Sequence, residues 1–367
     1  MPDVLMWGRM GRNYARNRII IKLFKEIEWT VHYYHPISSQ LGLIQALFTR
    51  LKRPDLIWVP CFRQKDVHSA ALWSRQWKVP VIFDPITSAY EKETYERKKW
   101  PPGSKRAERR KAWERNLFLK MDMVVLENPA YADYVHQEMQ IPRNRLAWIY
   151  QGAYTELFKP TTPPAARPPF EIVFFGSFHP SMGTEVIVEA ARLTTDLPCK
   201  WIFIGDGDLR KTTEERARGL PNVVFEGWLD YQQLPARLSK AHILLGIFGT
   251  TFKTDFVIPN KVFESMAVAR PLITQWARSY EANIGRTQVL GWVQRGDARG
   301  LAETVRRWLS DPENLYHRGK ATRALFEQHF GPEVQRKDLM AIVDRVLPNR
   351  HDPQSENKDE TVHRLNN

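Results

Sequence analysis

Nowhere in the 367 residues do 18 apolar residues run unbroken, so no segment has the make-up of a membrane-spanning helix. Cysteine is equally scarce. Cys61 and Cys199 lie far apart, each close to an apolar strand-like segment, and read as free thiols rather than a disulfide framework or metal centre. The start, MPDVLMWGRMGRN, has charges within a few residues and no apolar stretch of signal-peptide length. These absences predict a cytosolic protein. Acidic residues are under-represented in one half only: the first 160 residues hold 27 Lys/Arg against 16 Asp/Glu, and the rest is close to balanced. The net charge of +13 therefore belongs to the N-terminal half. Such a field favours an anionic partner: a phospholipid surface, nucleic acid or a phosphorylated acceptor.

What is present is enough for two folded domains, with 43% hydrophobic residues spread along the chain. The first half alternates short apolar runs, expected as strands at 4–7, 30–34, 56–60, 79–84, 123–127 and 146–150, with helical periodicity at 15–27, 41–51, 67–77 and 131–139. A highly charged helix is expected over 105–119, entered through Pro101-Pro102-Gly103. The alternation predicts a parallel sheet with helices on both faces. Residues 160–169, PTTPPAARPP, form a stiff proline-rich connector and the best domain boundary. The pattern then restarts, with strands at 172–175, 201–204, 223–225, 243–247 and 271–274 and helices at 184–193, 234–240, 260–268, 301–309, 314–330 and 332–346. The expected domains are thus 1–159 and 170–330. A terminal helix within 331–347 would return to the first domain, ahead of a polar, disordered tail at 348–367. Two doubly wound α/β domains would leave a cleft at the carboxyl ends of both sheets.

The second half then becomes recognisable from four ordered stretches: IVFFGSFHPSMGTEVIVEAARL, WIFIGDGDLR, NVVFEGWLDYQQLPARLSKAHILLGIF and VIPNKVFESMAVARPLIT. Together with NYARNRIIIKLFKEIEWTV, PVIFDPITSAY and IYQGAYTELFKP in the first half, they make the chain resemble family 4 (group 1) glycosyltransferases. The resemblance implies the GT-B fold of two facing Rossmann-like domains. It also implies transfer of a sugar from a nucleotide-diphosphate donor to a hydroxyl of a glycan or lipid-linked acceptor, with retention. No cofactor is implied beyond the nucleotide sugar itself.

Several residues carry the chemistry. Gly176-Ser177 ends a strand and precedes a helix, a turn that exposes backbone N–H groups to a phosphate. In IPNKVFES the helix is entered either with Pro259 as its first residue or with Asn260 as its N-cap. Lys261 lies in that first turn, where a cation opposes the helix dipole unless an anion binds there. Glu264 projects from the same largely apolar helix and needs a partner. In the resembling family its equivalent accepts the ribose hydroxyls. Gly227-Trp228 is expected near the nucleobase, with Trp228 either stacked on it or simply packed.

Three departures from the family pattern stand out: Phe256 where an earlier glutamate is common, and Ser177 and Met182 where the opening loop commonly carries cations. Lys253 and Lys261 are the expected replacements. In the first half, Gly8 and Gly11 shape a loop whose Arg12 and Arg16, with Arg18, are candidates for the phosphates or the acceptor; solvated arginines on a helix face are the alternative. Asp84, at the strand end Phe83-Asp84-Pro85, holds roughly the place of the family's donor-sugar histidine and is the catalytic candidate; capping of backbone donors is its alternative. The turn Gly205-Asp206-Gly207-Asp208 invites a divalent ion, but the family does not use it so, and metal-independent chemistry is expected.

Residues 96–120 carry ten basic residues interleaved with Trp100, Trp113, Leu117, Phe118 and Leu119. That mixture suits an anionic membrane surface, or else a solvated helix with Glu–Arg pairs. A nucleic-acid-binding protein would explain the charge but not the strand-end glycines or Glu264. A sugar-nucleotide epimerase of the same fold, or a catalytically inactive binding protein, are the closer alternatives.

Overall fold

The computed structural model describes residues 1–11, 14–39 and 42–348. Arg12 and the expected tail from Asn349 onward lie outside the described residues. Two six-stranded parallel sheets organise the chain. The first holds β1 (Asp3–Trp7), β2 (Thr30–Tyr34), β3 (Leu56–Val59), β4 (Val81–Phe83), β5 (Met123–Leu126) and β6 (Leu146–Trp148), in the order β2-β1-β3-β4-β5-β6. The second holds β7 (Phe170–Phe175), β8 (Cys199–Ile204), β9 (Val223–Glu226), β10 (Ile243–Leu245), β11 (Leu272–Gln275) and β12 (Gly291–Val293), in the order β12-β11-β10-β7-β8-β9. All ladders are parallel; β7 and β8 register from Phe170 opposite Cys199 to Phe175 opposite Ile204.

Most strands read as unbroken apolar runs because both faces are covered. One face of the first sheet packs Leu5, Trp7, Ile57, Val59 and Phe83 against helices Val67–Trp77, Lys105–Phe118 and Pro129–Met139. The opposite face packs Val4, Met6 and Ile82 against helix Ala15–Glu26 and the last helix, Pro332–Val346, through Leu339, Ile342 and Val343. The terminal helix is tied down further by Gln335, whose amide donates to the carbonyls of Tyr150 and Gln151 (2.8 and 3.0 Å). Chain order reverses beside β7, where β8 and β9 lie on one side and β10 to β12 on the other. That places a ligand crevice beyond the ends of β7 and its neighbours.

The structure adds elements that carried no usable pattern in the sequence. Strand β12 is a three-residue edge, and helix Arg210–Arg216 (RKTTEER) is almost wholly polar. The helix expected over 41–51 is shorter, Gly42–Phe48. Helix Asn260–Ala267 begins at Asn260, with Pro259 as its extended N-cap residue (φ −71°, ψ 151°), so neither expected entry is the observed one.

Candidate active site

A cavity of about 350 Å³ opens beyond the ends of β7 and β8. Gly176 and Ser177 form one wall, Trp228 another, and Asn260, Lys261 and Glu264 of helix Asn260–Ala267 the third. Six of the expected donor-side residues thus share one pocket, and Gly227 sits at its edge, its carbonyl accepting from Gly205 N–H (3.2 Å).

The glycines are there for closeness. Gly176 has φ +127°, and a Cβ on it would lie 3.1 Å from Lys261 Nζ. A Cβ on Gly205 would collide with the Gly176 carbonyl oxygen at 2.1 Å, so the two strand-end turns can nest only without side chains. A second cavity, about 610 Å³, lies under the proline-rich connector. It is remote from these strand ends, and both terminal nitrogens of its Arg270 donate to backbone and hydroxyl oxygens of the connector.

Lys261 is only 6% exposed. Its ammonium sits 3.8 Å above the Phe174 ring centroid and 3.0 Å from Met182 Sδ, with no carboxylate within 4 Å among the described residues. Burial pushes it down to about 7, with Glu264 pulling the other way. Glu264, also 6% exposed, accepts a hydrogen bond from the Tyr231 hydroxyl (2.9 Å). Burial raises it to about 7 against that bond and the charges of Lys261 and Arg18. Arg18 comes from the other domain: its guanidinium lies 4.3 Å over Tyr154 and 5.5 Å from the Tyr231 ring centroid. The pocket therefore offers a buried cation short of an anion beside a buried carboxylate with spare acceptor capacity. A diphosphate and a vicinal diol would satisfy both.

The N-terminal side departs from expectation. Asp84 and Arg16, expected at the ligand surface, are both fully buried and bonded to each other (Nε to Oδ2, 2.8 Å). Arg16 also donates to the Ile149 carbonyl (2.6 Å). Neither side chain meets solvent, so as placed they brace β4, helix Ala15–Glu26 and the end of β6 beneath the cleft. Burial raises Asp84, with Arg16 opposing. Gly8 has φ +130° and Gly11 is exposed at the helix approach, Asn17 donating to its carbonyl (3.0 Å). Lys253 does not line the donor cavity; its ammonium is 3.8 Å from Glu96 of the first domain.

Phe256 explains one family departure. It is 6% exposed, with its ring 5.0 Å from Tyr134 and 5.1 Å from Phe252, and its carbonyl accepts from the Asn128 amide (2.7 Å). Two groups escaped sequence reasoning. Tyr231 lies in a polar turn with nothing to mark it. Glu127, at the end of β5, is raised by burial to about 7, with Lys253 and Arg16 opposing.

Comparison with known proteins bears on the family and the fold. Residues 169–311 match the family profile described as glycosyl transferases group 1, and residues 27–152 match the glycosyl transferase 4-like domain. No curated protein matches the sequence. Among solved structures, Anabaena HepE in complex with UDP is similar with a TM-score of 0.68 at 14% identity, covering 94% of this chain and 100% of that one. Sucrose-phosphate synthase from Thermosynechococcus elongatus gives 0.69 at 16% identity, over 95% and 99% of the two chains. A glycosyltransferase from Rickettsia africae gives 0.68 at 13%, over 95% and 99%. With two profiles that follow one another along most of the chain and a fold shared end to end with these enzymes, the protein belongs to the group 1 glycosyltransferases and has their GT-B fold.

Proposed function

We propose that the protein moves a hexose from a nucleoside-diphosphate donor to a hydroxyl of a glycan or lipid-linked acceptor, with retention of configuration. The observation that carries the reading is the pairing of Lys261 and Glu264 in one pocket. Lys261 and the N–H groups of the first turn of helix Asn260–Ala267 receive the diphosphate, and Glu264 accepts the ribose hydroxyls. Gly227 and the two-thirds-exposed Trp228 flank the base. UDP is the first nucleotide to try, because the Anabaena HepE structure holds it.

In the transfer, the bond between the anomeric carbon and the diphosphate breaks and the diphosphate leaves with the electron pair. The acceptor oxygen attacks on the same face and its proton passes to a departing phosphate oxygen. The chain's part is positioning and stabilisation of the departing charge, which Lys261 supplies from a site of low polarity without a metal ion. Leu117 and Phe118 of the stretch 96–120 are buried in the first domain, with Trp100, Trp113 and Leu119 packed against the same core, so only its exposed cations support action at the cytoplasmic face of an anionic membrane.

Calorimetric titration with UDP, GDP and ADP, and with their sugar conjugates, tests the donor site. One nucleotide should bind, and Glu264→Ala should weaken it. No binding of any of them overturns the reading. Product analysis with and without acceptor then separates transfer from epimerisation, which needs no acceptor.

A further inference from the structure

The helix Gly42–Phe48 is built inside out. Its small residues, Gly42 and Ala46, one turn apart, face the protein: Gly42 packs on Pro36, and Ala46 enters the core at 1% exposure. Its large apolar residues face solvent. Ile44 is 52%, Leu47 68% and Phe48 83% exposed, spaced three and four residues apart so that they share one face. Ile37, in the preceding loop, is 75% exposed. An ordinary surface helix turns its apolar stripe inward, and four large apolar side chains clustered in water mark an interaction surface.

Charge identifies what covers it. From Trp29 to Pro54 the sequence has no Asp or Glu, and the helix is followed by Arg50, Lys52 and Arg53, all exposed. Arg9, also exposed, donates to the Ile37 carbonyl (3.2 Å). Helix Lys105–Phe118 packs on the same face of the first sheet as Ala46, through Ala107, Leu117 and Phe118. The exposed cations Arg97, Lys98, Lys99, Lys105, Arg106 and Arg109 precede or belong to that helix. Apolar tips beside Arg9, Arg50, Lys52 and Arg53, on a sheet face that carries further exposed cations, fit an interfacial anchor, where apolar area and attraction to anionic headgroups add.

We propose that Ile37 and helix Gly42–Phe48 form an insertion patch that seats the first domain on an anionic phospholipid surface. The patch hangs on the edge of the sheet where the strands end: the Tyr34 hydroxyl at the end of β2 donates to the Gly42 carbonyl (2.6 Å). That edge also carries the Gly8–Gly11 loop, so a seated enzyme holds its cleft beside the surface. The inference rests on the transferase reading for what the surface supplies, a lipid-linked acceptor, but its test does not depend on turnover.

Full-length protein is floated with vesicles of phosphatidylcholine alone or mixed with phosphatidylglycerol. Wild type should bind the anionic vesicles, and Leu47→Ser/Phe48→Ser should bind them at least ten-fold more weakly while UDP affinity is unchanged. A Phe48→Cys variant carrying an environment-sensitive dye should shift to the blue on anionic vesicles; Cys61 and Cys199 are buried and stay unlabelled. Equal vesicle binding by wild type and the double variant, or none by either, overturns the proposal. So does a dimer in lipid-free sedimentation that the double variant dissolves, since a second copy is then the occupant. Vesicle binding that persists in a protein unable to bind any nucleotide upholds the patch and removes the donor reading instead.

Discussion

Replacing Lys261 by methionine should move two measurements in opposite directions. The side chain keeps most of its length and loses its charge. In the ligand-free protein the ammonium is buried 3.8 Å over Phe174 and 3.0 Å from a thioether, with no carboxylate within reach among the described residues. Its fall from 10.5 to about 7 corresponds to roughly 5 kcal/mol disfavouring the charged form. The contact with Phe174 returns about 2 kcal/mol of that. Lys261→Met should therefore stabilise the empty protein by up to about 3 kcal/mol, less what Glu264 loses with its neighbouring charge, read as a higher denaturant midpoint. The same substitution removes a charge-assisted bond to the diphosphate, worth about 1.5–3 kcal/mol, so UDP should bind roughly 10- to 100-fold more weakly by calorimetry. A variant that is less stable and binds UDP as tightly as wild type would refute the assignment of Lys261 as a cation held ready for an anion.

The pair also predicts a pH profile. Lys261 binds phosphate only when protonated, so affinity should fall as pH rises above about 7. Glu264 accepts the ribose hydroxyls more strongly when ionised, so affinity should also fall below about 7. Lys261→Met should abolish the alkaline limb and Glu264→Gln the acid limb; unchanged limbs in either variant would contradict the roles. Tyr231→Phe removes a bond that lowers Glu264, so the acid limb should move to higher pH, seen by titration calorimetry across buffers. Asp84→Asn leaves the buried Arg16 without its counter-charge and should cost about 3–5 kcal/mol in denaturant unfolding, and a variant as stable as wild type would show that Asp84 is not a brace.

How much of this was legible in the sequence follows from the range of the interactions. β7 and β8 were readable because their apolar runs are local signals, although each begins two residues earlier than expected. That Gly176, Lys261 and Glu264 would share a pocket was readable because a glycine at a strand end, a cation in a helix's first turn and a carboxylate on a largely apolar helix are each local signals. Asp84 and Arg16 were each noticed, yet 68 residues separate them and nothing local announces that they neutralise each other. Tyr231 reaches Glu264 across 33 residues of chain, from a turn with no pattern. The orientation of helix Gly42–Phe48 was not legible for a different reason. Periodicity over 41–51 reports that a helix has an apolar face, but not whether that face meets the protein or the solvent. Only Gly42 and Ala46, small enough for close packing, hinted at the orientation.

Phe256 bears on how the enzyme works as well as on what it lacks. A glutamate at this position would be buried among Tyr131, Tyr134 and Phe252 and would cost several kcal/mol unpaired. The aromatic side chain instead joins the second domain to the first. Phe252 stacks on Tyr95 with centroids 4.3 Å apart, and Asn128 reaches across to the Phe256 carbonyl. The cluster lies outside the donor cavity and bridges the two domains, so it is expected to act on cleft closure rather than on nucleotide affinity. Phe252→Ala/Phe256→Ala should then leave UDP affinity within about two-fold of wild type and increase the radius of gyration in small-angle scattering. It should also lower kcat, because an open cleft holds donor and acceptor apart. If the double variant scatters like wild type and turns over at the same rate, the cluster is ordinary packing and closure is governed elsewhere.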